Sequence, residues 1–428
     1  MGFVFILFVF LLVVGMPAAF AIGISGVLFF FLTPDLPLAI TVQRVLAPTQ
    51  SFNMLAVPLF VFAGNLMNNT GITARLIKLA NLLTGRMYGN LAQTSCLLSV
   101  LMGGVSGSAN ADAAMQCRVL APAMKEKGYD MSYGAAVNGF TSLIVATLPP
   151  SMGLIIYGSV GEVSIGRLFI AGYVPAILMA VFYMFTIRQT AKKRDYRPER
   201  TTRIPPREVG KALVDSLWAL LFPIILIVGI RFGIFTPSES GAFACVYAIF
   251  VGTVIYKEMN FKKFMETLKN TAGDIGIIMI LVSFSGIFGY GIVYDRVPQA
   301  LAGFLMGITD NKFILLSLII VMLVIAGAFI ETTVIALLMT PILLPVVASV
   351  GVDPVQFGLI MMTVVTMGIM TPPMGIALFT TSSLMGCTPE QTSKSSIPFI
   401  VATLAVVVIM VGFEDLMLFL PNLVFGKA

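Results

Sequence analysis

Four short segments of this chain combine oxygen-bearing side chains with residues that break helices. The first runs from Gly103 to Asp112 and carries Ser106, Ser108, Asn110 and Asp112 among glycines and alanines. The second is Thr147-Leu-Pro-Pro-Ser151, with Pro149 and Pro150 side by side. The third, Gly327 to Thr333, holds Glu331 and Thr332, and the fourth is Thr371-Pro-Pro-Met-Gly375, with Pro373 second in its pair. Proline has no amide hydrogen and disrupts the helix upstream, so carbonyl oxygens are freed. Freed carbonyls beside hydroxyls suit a small hard cation. Helix N-termini facing the same space favour an anionic group. The chemistry on offer is ion and anion binding, not bond breaking.

Asp112 and Glu331 sit in apolar surroundings, where an ionisable residue is a functional candidate by default. The alternative is a local pair or a cap on a broken helix. Glu239, in Thr236-Pro-Ser-Glu-Ser-Gly241, reads as the cap of a helix start. Arg296 falls at an interface, where its stem can snorkel. The chain has no histidine, which excludes a histidine metal site, triad or proton relay. It has no Gly-rich phosphate loop, nucleophile elbow or HExxH pattern, so it should not hydrolyse ATP, and no enzyme is expected. Its four cysteines are scattered and suggest neither disulfide nor zinc.

What must position these segments is a membrane bundle. The chain is 58% hydrophobic and 11% charged, and several runs reach membrane-span length. The punctuation also recurs. Gly104, Pro122, Gly128, Asp130, Pro150 and Pro175 are matched 223 positions later by Gly327, Pro345, Gly351, Asp353, Pro373 and Pro398. Two halves sharing breaks but little else imply a duplicated, inverted bundle: an all-α integral membrane protein with two re-entrant hairpins and broken helices. We divide it into a first repeat (1–187), a linker (188–211) and a second repeat (212–428). The linker holds nine Lys/Arg, which makes it cytoplasmic and accounts for much of the +6 net charge without nucleic acid.

Threading from that linker gives a topology. Phe3 to Leu32 has no charge, is about 45 Å long as a helix, and is too long for a signal-peptide core. It is expected as one outward span kinked at Gly15 and Pro17, with the N-terminus cytoplasmic and the C-terminus periplasmic. Phe52 to Met67 returns, and Ile72 to Arg86 lies along the inner interface. Leu91 to Lys127 is a hairpin, Ser132 to Tyr157 a broken span, and Leu168 to Ile187 the way back. Lys211 to Arg231 is expected as an extra span that inverts the second repeat. Spans at Pro237–Tyr256 and Asp274–Tyr294 follow, then a hairpin at Phe313–Ser349 broken near Gly327. A broken span at Val355–Leu384 and a last span at Ile397–Leu420 complete the chain.

These segments resemble the large membrane subunit of tripartite ATP-independent periplasmic transporters, over essentially the whole chain. The resemblance rests on Gly104-Val-Ser-Gly-Ser-Ala-Asn-Ala-Asp112, Pro122 through Asp130, Pro149-Pro-Ser151, and Ser164 through Gly172 with Pro175. In the second half it rests on Thr340 through Pro345, Gly351-Val-Asp-Pro354 and Thr371-Pro-Pro-Met-Gly375. It implies an elevator-type transporter in a bacterial inner membrane. Two or more sodium ions would be coupled to a small organic acid brought by a periplasmic binding protein, and a separate small membrane subunit would brace the scaffold. One sodium site would use Ser106, Ser108 and Asn110 with the Thr147–Pro150 backbone. The other would use Gly327, Glu331 and Thr332 with the Thr371–Pro373 backbone. Substrate candidates are Asp112, Ser151, Gly375, Thr380, Thr381 and Arg296. The hydroxyl run Thr380 to Ser383, where many relatives have an asparagine at 377, favours a polyhydroxylated acid of the sialic-acid type over a C4-dicarboxylate. A stand-alone carboxylate carrier and a channel remain the rival readings.

Overall fold

The structure is a computed structural model that describes the chain except Leu38, residues 201–204, Asp310, Lys427 and Ala428, and the side chains of residues 104–106 and Met306. Its described residues form helices and no strand. Six helices are long and apolar enough to cross a bilayer, or eight if each of two sharply bent pairs is one span. The repeat seen in the sequence is a repeat of elements. Ala109–Glu126 and Thr332–Ser349 are helices of 18 residues whose starts lie 223 apart. Met131–Thr141 and Pro354–Gly368 start at the same interval. The shared aspartates have a physical reason: Asp130 and Asp353 N-cap these two helices, accepting from Ser132 N and from Val355 N and Gln356 N.

The N-terminal run departs from expectation. It is not one kinked span but two short helices, Gly2–Val13 and Ala18–Leu32, parted at Gly15, whose φ is +89°. They fold back on each other. The Met1 amino group lies 2.5 Å from Asp295 Oδ2, while Phe29, near the far end of the second helix, stacks edge-on against Tyr294. Both ends of this hairpin therefore meet the end of Phe261–Tyr294, a 34-residue rod about 51 Å long. The rod starts at the basic end of the bundle, where Lys263 Nζ donates to the Glu258 carbonyl. Met1 consequently sits at the opposite end, and the expected cytoplasmic N-terminus is overturned.

Other boundaries shift as well. Lys211–Arg231 is not straight: Pro206–Asp215 lies at 59° to Leu217–Arg231 and packs on the interfacial helix Ile72–Thr84. Leu217–Arg231 with Pro237–Phe250 thus opens the second repeat much as the N-terminal hairpin opens the first. The stretch Ala39–Asn69 is bent by 58° where its repeat partner, Phe261–Tyr294, is continuous. Pro48, and an extended Ser51, interrupt the first copy, and the second has no proline there. The last span stops at Gly412, and Glu414–Phe425 is separate. Glu239 is a cap as expected, closing a capping box with Thr236.

The linker clasps the first hairpin at the basic end. Tyr196 stacks on Tyr129 with centroids 4.2 Å apart, and its hydroxyl accepts from Asp130 N. Arg194 pairs with Asp130 at 2.8 Å, and Glu199 with Lys127 at 2.6 Å, Asn90 Nδ2 donating to the same Glu199 oxygen. Burial alone would raise the Asp130 carboxyl, but Ser132 and Arg194 outweigh it and hold it below its ordinary value. Lys127 does the same for Glu199.

Two predictions follow from this architecture. Single cysteines at Gly2 and Glu162 should react with an impermeant reagent from one side of the membrane, and one at Arg197 from the other. Depressed carboxylates stabilise the fold above their unfolded values near pH 4 and lose that contribution as pH falls further. Glu199→Gln at neutral pH should therefore mimic acid, speeding amide exchange over residues 194–200. Its cost should be about 0.5 kcal/mol, since the pair is largely exposed.

Candidate functional site

The first hairpin turns at Gly107, whose φ of +63° places it in the left-handed region. A side chain there would come within 3.0 Å of the Pro150 carbonyl, so tip and break approach as closely as glycine permits. Ser108 N-caps the return arm, accepting from Ala111 N. Below the tip the arms are stapled by a buried polar network. Ser99 Oγ and Gln116 Nε2 both donate to Asp112 Oδ2, at 3.1 and 2.6 Å, and Ser95 links Gln116 to Thr141. Asp112 is 1% exposed and does not line the cavity described below. Its place is inside the hairpin. The Ser106 side chain lies outside the described residues.

The first break is a buried loop after a 3-10 turn, Ser142–Ala146. Ser151, fully buried, caps Met152–Val160 through Leu154 N and donates to the Ala146 carbonyl. Gly172 on the neighbouring helix is what lets this loop sit where it does. A Cβ there would lie 2.1 Å from the Thr147 carbonyl oxygen.

The second hairpin breaks at Ile330-Glu331, three residues beyond the expected Gly327. Gly327 instead packs against Gly368, and a Cβ on it would meet the Val365 carbonyl at 2.6 Å. Glu331 is exposed and caps Thr332–Ser349, its carboxylate accepting from Thr333 N and Thr333 Oγ1 at 2.9 Å each. At the second break, Gly375 allows the Ile369 and Thr371 carbonyls to close in, each within 2.7 Å of where its Cβ would be. Both Pro149–Pro150 and Pro372–Pro373 are cis.

Residues of the first three segments, with Ile369 and Ile376 on either side of the fourth, surround one small cavity of about 60 Å3; of the expected site residues, Thr147, Pro149, Pro150, Gly327, Thr371, Pro373 and Gly375 do not line it. Its walls include Gly107 to Asn110, Ser151 to Gly153, Glu331 to Thr333, Ile369 and Ile376. Ala109, Met152, Thr332 and Ile376 are each the first residue of a helix, so four helix N-termini converge here. Asn110 Oδ1 is buried with no partner, and every polar side-chain group on the wall ends in oxygen except the Asn110 amide nitrogen. Among the described residues, no lysine or arginine lines the cavity. Such a donor set fits a hard monovalent cation at the side-chain oxygens and an anion at the N-termini. The space fits ions and water but not an organic acid, which needs the tips to part.

Several expected substrate residues lie elsewhere. Arg296 is exposed at the end of the 34-residue rod. Thr380 and Thr381 return their hydroxyls to the Ile376 and Ala377 carbonyls one turn back, at 2.8 Å each. Thr333, Met362 and Thr366 line the cavity and were not foreseen. Met362 and Thr366 stand one turn apart on a fully buried helix, where nothing in the pattern marks the inward side.

Comparison with known proteins places the chain in a family and a fold. The family model for the tripartite ATP-independent periplasmic transporter DctM component matches residues 5–416. A sialic acid TRAP transporter large permease protein of Vibrio cholerae is 35% identical over 97% of both chains. A 2,3-diketo-L-gulonate TRAP transporter large permease protein of Escherichia coli is 31% identical over 95% of both. A C4-dicarboxylate TRAP transporter large permease protein of Rhodobacter capsulatus is 28% identical over 98% of both. Among solved structures, the Alcanivorax borkumensis YdaH transporter has the same fold, with a TM-score of 0.58 over 87% of each chain at 12% identity.

Gly172→Ala should push the Thr147 carbonyl out of place. We expect overpacking of about 1–3 kcal/mol and a several-fold rise in the cation concentration that half-saturates uptake. Gly210→Ala, with nothing within 4 Å, is the control and should change neither.

Proposed function

Since the chain belongs to the DctM-component family of tripartite ATP-independent periplasmic transporters, we propose that this inner-membrane permease couples sodium to the uptake of a small organic acid. The single observation that carries this reading is the cavity wall: four helix N-termini and an acidic tip, with no basic side chain. An organic anion entering there finds N–H groups but no cationic partner. Cations held beside it by oxygen ligands supply the missing charge. Asn110, Ser108 and the carbonyls around Thr147 serve one cation, and Glu331, Thr332 and the Thr371–Pro373 backbone serve the other. Gly107, Gly172, Gly327 and Gly375 act indirectly, by letting those backbones approach.

Transport then requires the hairpins to carry this site between the two membrane faces, as in an elevator. A periplasmic binding protein delivers the substrate, and a small membrane subunit steadies the helices that do not move. Sialic acid is the favoured substrate. That preference rests on the Vibrio cholerae relative, because the threonine hydroxyls that first suggested it are turned into their own helix. A C4-dicarboxylate is the alternative, motivated by the Rhodobacter capsulatus relative.

Uptake of radiolabelled sialic acid into proteoliposomes holding this permease and its small subunit tests the reading. It should need both an inward sodium gradient and the binding protein. Glu331→Gln should cut it at least about tenfold, the scale of one charged hydrogen-bonding group. Uptake without the binding protein would instead indicate a stand-alone carrier. Competition by malate or succinate at equal concentration would move the substrate to the C4-dicarboxylates.

A further inference from the structure

At the basic end a second cavity, of about 450 Å3, opens between the loop that starts the first hairpin and the helix Ile165–Lys193. It is lined by Arg86, Met87, Tyr88, Gln93, Met184, Phe185 and Arg188, with no carboxylate among them. Lys192 stands over the Tyr88 ring at 5.3 Å. Neither Arg86 nor Arg188 makes an ion pair among the described residues. Gln93 is 2% exposed; its amide nitrogen donates to the Met184 carbonyl at 2.9 Å, and its Oε1 has no partner. A buried acceptor left unsatisfied costs about 1–3 kcal/mol, which a bound donor would remove.

The approach to this cavity is apolar. Ile177, Val181 and Phe185 project from one face of the long helix, 55%, 58% and 61% exposed, and Arg188 follows one turn on. From Ile177 to Arg188 is about 16 Å, the reach of an acyl chain running up to a headgroup. The duplication does not account for the site. At the other end of the bundle the positions 223 later are Thr309, Asn311, Leu316 and Val411, in place of Arg86, Tyr88, Gln93 and Arg188. The cavity therefore belongs to the basic, cytoplasmic end and is not rebuilt by the repeat at the other.

We propose that this cavity binds the headgroup of an anionic phospholipid of the phosphatidylglycerol type from the inner leaflet. The phosphate sits between Arg86 and Arg188, a glycerol hydroxyl donates to Gln93 Oε1, and one acyl chain lies along Phe185, Val181 and Ile177. The site holds the start of the first hairpin to the helix after the first break, so an occupied site ties the lipid to the segment that carries the candidate cation ligands.

Native mass spectrometry of the full-length permease titrated with phosphatidylglycerol or phosphatidylcholine tests this. Wild type should prefer phosphatidylglycerol by about fivefold or more, and Arg86→Gln with Arg188→Gln should lose about 25-fold in its affinity, at roughly one fivefold step per basic residue. Gln93→Leu should erase part of the preference while leaving both arginines to hold the phosphate. Equal binding of the two lipids by wild type, or undiminished phosphatidylglycerol binding by the double variant, overturns the proposal. So does displacement of the lipid by millimolar inorganic phosphate, which would make the site a simple anion site. If the double variant does not fold, the wild-type comparison decides by itself.

Discussion

A helix that ends inside a bilayer leaves N–H or C=O groups without water, and each is costly there. This constraint governs the molecule. Four helices begin at one cavity, and the helices before them end beside it, so each exposed end faces others instead of lipid. Grouping them requires backbones to approach within van der Waals distance. Glycine supplies that approach at Gly107 against the Pro150 carbonyl, at Gly172 against the Thr147 carbonyl, and at Gly327 against Gly368. Serine at 108 and 151 and glutamate at 331 then satisfy one or two N–H groups each, and at the fourth helix start Ala377 N and Leu378 N donate to the Ile369 carbonyl.

Duplication gives two copies of this device, and the differences between copies are informative. The first tip is capped by a neutral serine and the second by a carboxylate. The first proline break is buried, and Pro372 and Pro373 of the second are exposed. The first half bends at Pro48 where the second runs as one rod. The charge of the second tip is thus set by the protein itself, while the first tip depends on dipoles and hydroxyls. In the proposed reading, the two cation positions are therefore not equivalent.

Hairpins, breaks and the repeat were legible because they are written in glycine, proline and short polar residues, whose backbone effects do not depend on partners. The N-terminal hairpin was not. Residues 3–32 are apolar throughout, and a turn buried in a bundle needs no charge to mark it; Gly15 and Pro17 were the only signals, and they fit a kink equally well. The hydroxyls at Thr380 and Thr381 misled for a related reason. On an apolar helix a threonine satisfies itself on the carbonyl one turn back, so its presence says little about a ligand. Arg296 was legible only as an interfacial charge, and Asp112 only as a buried one. Which neighbours would hold Asp112 depended on how the hairpin arms register.

The cavity wall also constrains how coupling works in the proposed reading. A basic residue beside the substrate would bind an organic anion whether or not cations were present, and the permease would then leak charge down the wrong gradient. A wall with Glu331 and no basic group does the opposite. With the cation sites vacant, that carboxylate repels an incoming anion. With them filled, the same surface attracts it, and by reciprocity the bound anion holds the cations more tightly. Coupling then needs no dedicated sensor. It follows from leaving lysine and arginine off a wall built from helix ends, which is why the placement of Arg296 at the surface matters as much as any residue inside.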